Sequence, residues 1–194
     1  MVHSLKELDI DALPVYTSSL RIFDDAGDLL PAAYKYFWNG KAAQIDVLIN
    51  TTSFAMAEIN NCGATAAGSS VQVLSRLNVP VIQAITSSMM LEQWQASPRG
   101  LNPLDTAMNV VLPEFDGRII TFPISFKQKC KDGFVEHHKY LPVEDRIKRI
   151  AAMASRLIKL RRKHNQDKRI AFIFTNSNSK ASQIGNAVGL DAPA

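Results

Sequence analysis

The chain has 194 residues, of which 46% are hydrophobic and 21% charged, and carries a net charge of +4. That length can enclose a real core in one domain or two small ones, and this near-average composition excludes a disordered tail or a fibrous repeat. No apolar stretch is long enough to cross a bilayer, and "MVHSLKELDID" places acids where a signal peptide needs a basic then apolar run, so a cytoplasmic protein without a membrane span is expected.

The N-terminal third alternates strand-like and helix-like runs. "ALPVYTSSL" (12–20) is β-branched and apolar, "DDAGDLLPAAYKYFWNG" (24–40) is helix-like after an acidic start, and "IDVLINTTSF" (45–54) is a buried-strand run closing on polar residues. "TAAGSSVQVLSRLNV" (65–79) spaces Val71, Leu74 and Leu77 for one helix face, and "PVIQAITSS" (80–88) is a further strand. Strands separated by helices of this length predict right-handed βαβ units, hence an α/β fold of Rossmann or flavodoxin type with parallel strands near 12–17, 45–50, 80–85 and 169–175. In such sheets ligands bind beyond the carboxyl ends of the strands. Those ends hold Asn50, Thr52, Ser53, Ser87 and Ser88, which makes these five the candidate substrate-binding rim. Capping of the following helix is the commoner role for any single Ser or Thr there.

Residues 89–110 read as an interrupted helix that restarts at Asn102-Pro103, with Asn as cap and Pro in the first turn. "NVVLPEFDGRIITFPISF" then reads as two apolar runs joined by an acidic corner, Glu114-Phe115-Asp116, between the breakers Pro113 and Gly117. Asp-Gly is a hairpin signal, so an irregular or hairpin excursion is predicted over 105–126. On an extended segment, residues two apart share a face. Glu114 and Asp116 would then project together as a general base or cation site, and they are the candidate catalytic pair. The bland alternative has Asp116 accepting backbone hydrogen bonds in the turn while Glu114 sits in solvent.

Residues 128–141 are polar and predict a loop or an irregular hairpin. Helix 143–164 follows, with Glu144-Asp145 at its start and an apolar face of Ile147, Ile150, Ala151, Ala154, Leu157 and Ile158. Residues 143–169 hold ten Lys/Arg against three acids, but no aromatic residue to stack on bases, so a solvated helix face is expected there and no nucleic-acid partner. "RIAFIFTN" (169–176) is one more strand-like run. Three segments result: an α/β domain over 1–100, the acidic excursion over 101–141, and the basic helix with an opening βα unit over 142–194.

Several chemistries lack their signatures. Cys62 and Cys130 are the only cysteines and lie far apart, which excludes a disulfide framework and a CxxC site. His137 and His138 are adjacent, and neighbouring residues diverge too far to chelate as a pair. No phosphate-binding GxxxxGK[ST] or GxGxxG spacing and no GxSxG elbow occur, so the chain is not expected to hydrolyse ATP itself.

At "WQASPRGLNPLDTAMNVVLPEFDGRIITFPISFK" (94–127) the sequence resembles the large subunit of the tetrapyrrole metal chelatases, the cobaltochelatase CobN and magnesium chelatase H subunits. The resemblance continues through "LPVEDRIKRIAAMASRLIKLRRKHNQDKRIAFIFTN" (141–176) and "IGNAVGLDAPA" (184–194), the latter similar to an IGN-GLD-PAS motif cut before its serine. "LPVYTSSL" and "VLINTTSFA" fit the preceding part of the pattern, and "GRIITFPISFK" is more like CobN than like H. The resemblance implies a piece of a longer subunit that binds a tetrapyrrole and a cobalt or magnesium ion as substrates. It implies AAA+ ATPase partners that use the ATP, so nucleotide is not bound by this chain. Glu114 and Asp116 match the glutamate and aspartate of the family's "LPE-DG" segment, and the resemblance places no metal ligands. The reading from another class is a stand-alone α/β sensor whose polar rim captures a small ligand.

Overall fold

A computed structural model describes residues 1–16, 36–55, 74, 77–132, 135–171 and 173. It divides into two compact units, Met1–Arg161 and Arg162–Ala194. The first unit is built on a sheet of four strands in the order β1-β2-β3-β4, comprising β1 (Leu48–Asn50), β2 (Val81–Met90), β3 (Ile119–Asp132) and β4 (Val135–Pro142). β1 pairs parallel with β2, and β2 parallel with β3, whereas β3 and β4 run antiparallel. The α/β class is as expected, with parallel strands at two predicted positions, 45–50 and 80–85.

β2 organises both faces of the sheet because its residues alternate sides. Ile82 and Ala84 enter one core cluster with Ile124, with Leu5 of helix α1 (Val2–Lys6), and with Ile147, Ile150, Ala151 and Ala154 of the long C-terminal helix Glu144–Arg162. Ala151 and Ala154 are small and fully buried, so that helix lies close on the sheet. Val81 faces the other way, into a second cluster with Phe37, Leu74, Leu77 and Val79. Leu74 and Leu77 are helical, as their spacing predicted, and the rest of that predicted helix lies outside the described residues.

Between β2 and β3 come helix α2 (Leu91–Ala96) and a continuous helical passage made of α3 (Pro103–Thr106), a π turn (Ala107–Val111) and α4 (Leu112–Phe115). The sequence signals for a start at Asn102-Pro103 are realised: Asn102 accepts from the Asp105 backbone N–H at 2.7 Å. Pro113 explains the widened turn. It has no N–H for the carbonyl of Asn109 and its ring crowds that carbonyl, so the helix opens to a π register instead of breaking.

These helical turns correct the predicted excursion. The run Val110–Leu112 is helical rather than extended, and Asp116-Gly117 ends a helix rather than turning a hairpin, with Gly117 supplying the positive φ of +71°. The hairpin falls one step later, where β3 and β4 pair from Ser125↔Pro142 to Asp132↔Val135 in the stretch read as a loop.

The expected strands at the two ends are not formed in the described residues. Residues 12–16 carry no strand, with Leu13 and Tyr16 exposed, and Thr17 lies outside the described residues. In the second unit a short 3-10 turn spans Asn165–Asp167, and Arg169–Ala171 and Ile173 pair with no strand. Helix Glu144–Arg162, labelled α5, matches the predicted 143–164.

Candidate functional site

The carboxyl ends of β1 and β2 face the helical passage, and polar side chains fill the space between them. Gln83 is fully buried in β2, directly across from Asn50 of β1. Its Oε1 accepts from Asn50 Nδ2 and from Arg118 Nη1, both at 2.9 Å, and its Nε2 donates to the Thr52 carbonyl at 3.0 Å. Arg118 enters from the start of β3. Its second nitrogen, Nη2, donates to Asp116 Oδ2 at 2.6 Å and to the Phe54 carbonyl at 3.0 Å, and Nη1 also reaches the Thr52 carbonyl at 3.2 Å. Both members of the Asp116–Arg118 ion pair have side chains at or below 1% exposure. Desolvated charges need this kind of multiply bonded pairing to persist. The ends of β1, β2 and α4 are therefore tied through one guanidinium group.

A second cluster centres on Asp105, which is 3% exposed. Its Oδ2 accepts from Ser87 Oγ at 2.7 Å, from the Ser88 backbone N–H at 2.9 Å and from Asn102 Nδ2 at 3.4 Å. Ser53 Oγ donates to the buried Asn109 Oδ1 at 2.7 Å, and the Phe54 N–H donates to the Met108 carbonyl at 2.8 Å, which holds Phe54 at φ +67°.

All five rim residues thus come together at the strand ends, and each is engaged by the protein itself: Asn50 and Thr52 with Gln83 and Arg118, Ser53 with Asn109, Ser87 and Ser88 with Asp105. The carboxylate pair separates. Asp116 is buried against Arg118, while Glu114, two residues earlier on α4, is exposed and makes no hydrogen bond or ion pair among the described residues. Helical geometry turns them about 200° apart, so the shared face expected of an extended segment does not exist.

Sequence reasoning missed Gln83, Asp105, Asn109 and Arg118. Two had a signal: Gln83 interrupts the apolar run Val81–Ile85, and Asn102-x-x-Asp105 has the spacing of a helix-start capping pair. Arg118 had none, because an arginine after Asp-Gly reads as solvated. Among the described residues no group of three or more His, Cys, Asp or Glu side chains could hold a metal, and no helix is long and apolar enough to cross a membrane.

The family model for CobN/Magnesium Chelatase matches residues 1–194. The chain belongs to the CobN/magnesium chelatase family. Among relatives, the aerobic cobaltochelatase subunit CobN of Sinorhizobium sp is 34% identical over 200 residues, covering 100% of this chain and 14% of that protein. The H subunit of magnesium chelatase from Rhodobacter capsulatus is 27% identical over 204 residues, 98% of this chain and 16% of that protein. The solved catalytic subunit of cobaltochelatase from Mycobacterium tuberculosis superposes with a TM-score of 0.75 at 34% identity, over 98% of this chain and 15% of that one. The chain thus spans a small part of the length of these relatives.

Proposed function

We propose that this chain forms part of the insertion surface of an ATP-dependent chelatase, in which Glu114 accepts a proton from the tetrapyrrole as the metal enters. Insertion of a divalent ion releases two pyrrole N–H protons and strips water from the ion, so a free carboxylate beside the ring is the needed group. The observation that carries the reading is the contrast within α4: Glu114 is exposed and unpaired among the described residues, while the residue that ends its helix, Asp116, is locked to Arg118 at 2.6 Å. A mobile carboxylate would be a poor base, and a paired one would have no capacity left. Glu114 has a fixed backbone and a free head group.

Cobalt is the proposed metal, because identity is higher to the CobN relative, at 34%, than to the magnesium-chelatase relative, at 27%. ATP use is assigned to AAA+ partner subunits, in keeping with the lack of a phosphate-binding loop in the sequence. Family membership favours this reading over a stand-alone sensor. In the full-length subunit with its partners, Glu114→Gln keeps volume and removes basicity. Tetrapyrrole affinity, read by quenching of intrinsic fluorescence, should stay within about twofold, and insertion should slow about a hundredfold or more. Wild-type insertion by Glu114→Gln at saturating metal and ring overturns the proposal.

A further inference from the structure

The two buried carboxylates of the site are treated differently by the fold. The charge of Asp116 is met by a guanidinium group. Asp105 is as deeply buried, at 3% exposure, and meets neutral donors only, all of them on Oδ2. Among the described residues no Lys, Arg or His pairs with it, and its Oδ1 accepts no hydrogen bond. A role as a structural staple between β2 and α3 accounts for Oδ2 and leaves Oδ1 unexplained. A single water would satisfy that oxygen's hydrogen bonding and leave its charge uncompensated, which is the costlier part of burying a carboxylate.

We infer that Asp105 is a binding site for a hard divalent cation, held through Oδ1. The surroundings are oxygen-rich and contain no thiolate or imidazole: the Ser88 hydroxyl and the Asn102 side chain sit on the partly exposed side, 3.3 Å from each other. Oxygen donors of this kind select ions such as Mg²⁺, Mn²⁺ or hydrated Co²⁺ over soft metals. The location is also where open α/β sheets hold ligands, just past the carboxyl-terminal half of a parallel strand. One charged ligand gives weak, exchangeable binding, which suits an ion that is passed on rather than kept. Binding itself is independent of the chelatase reading; only the assignment of the ion as the metal substrate rests on it.

Manganese is the probe, because its electron paramagnetic resonance signal reports free ion directly and it prefers oxygen ligands. The wild-type chain should bind one Mn²⁺ at this site, Asp105→Asn should weaken binding at least tenfold, and Glu144→Gln at an exposed helix start should leave it unchanged. Asn102→Asp places a second carboxylate beside the first while keeping a good helix cap, and should tighten binding at least tenfold. That gain keeps the test decisive if Asp105→Asn fails to fold. No Mn²⁺ binding by wild type, equal binding by Asp105→Asn, or no gain in Asn102→Asp overturns the site. Loss of Mn²⁺ binding in Asp105→Asn together with wild-type insertion by Glu114→Gln would retain the cation site and discard the proton-acceptor role.

Discussion

Arg118 is the residue on which the largest number of separate contacts depends. Its guanidinium bonds to two backbone carbonyls, one amide and one carboxylate, and so it fixes where Thr52, Phe54 and Asp116 lie. Removing its partner leaves a cation buried without compensation, so Asp116→Asn should lower the unfolding free energy by about 3–5 kcal/mol, measured by urea denaturation of the chain. In Asp116→Asn/Arg118→Met the loss should be smaller than the sum of the two single losses, because the double variant buries no orphan charge. A strictly additive cycle would mean that the pair is not coupled. At the other extreme is Phe115, 61% exposed at the end of α4. Phe115→Ser should change stability by no more than about 0.5 kcal/mol.

At the scale of elements, the helical passage 103–115 is inside out. Asp105, Asn109 and Pro113 recur every four residues on the buried side, while Leu104, Val111 and Phe115 are exposed. That inversion is why its apolar letters read as strand-forming core in the sequence: periodicity identifies the two faces of a helix, and only hydrophobicity is available to say which one is in. Helix α5 has the ordinary arrangement, with Ile147, Ile150, Ala151 and Ala154 inside and Lys148, Arg149, Arg156 and Lys159 exposed, and it was legible for that reason. Its basic run has one cation with a defined structural task. Arg146 stacks 4.3 Å from the Trp94 ring of α2 and donates to the Pro123 carbonyl at 3.0 Å. Arg146→Ala should cost about 1–2 kcal/mol. Replacing Arg161, Arg162 and Lys163 together with glutamine should cost under about 1 kcal/mol, losing chiefly the exposed bond from Arg161 to the Asn78 carbonyl. A large loss of melting temperature in the triple variant would show that this end of the helix is more than a solvated face.

On the scale of the whole molecule, the α/β class and the positions of β1 and β2 followed from alternating runs, and the gathering of Asn50, Thr52, Ser53, Ser87 and Ser88 followed from a rule about parallel sheets. What the rule could not supply was their partners. Gln83, Asp105, Asn109 and Arg118 lie 18 to 66 residues from the groups they bond, and local sequence carries no record of such long-range pairing. The register of β3 was also hidden: it slips against β2 between Gln83 and Ile85 and again beyond, because β3 must serve a parallel partner on one side and the antiparallel β4 on the other. The core beneath is conventional, and Ile150→Ala, at a fully buried position under the sheet, should cost about 2–5 kcal/mol by the same denaturation measurement.

The Thr52 carbonyl accepts from three donors, Asn50 Nδ2 at 3.2 Å, Gln83 Nε2 at 3.0 Å and Arg118 Nη1 at 3.2 Å. An oxygen has two lone pairs, so one donor is in surplus. The network is thus asymmetric in what it can lose. Asn50→Ser withdraws a donor from an oxygen that keeps two others, and the remaining pair can shorten to fill the place. Loss of an acceptor has no such reserve, since each nitrogen of Arg118 already serves two oxygens and no third is within the described contacts. The strand ends of this sheet have redundancy on the donating side and none on the accepting side, and natural or engineered variation should be tolerated in that order.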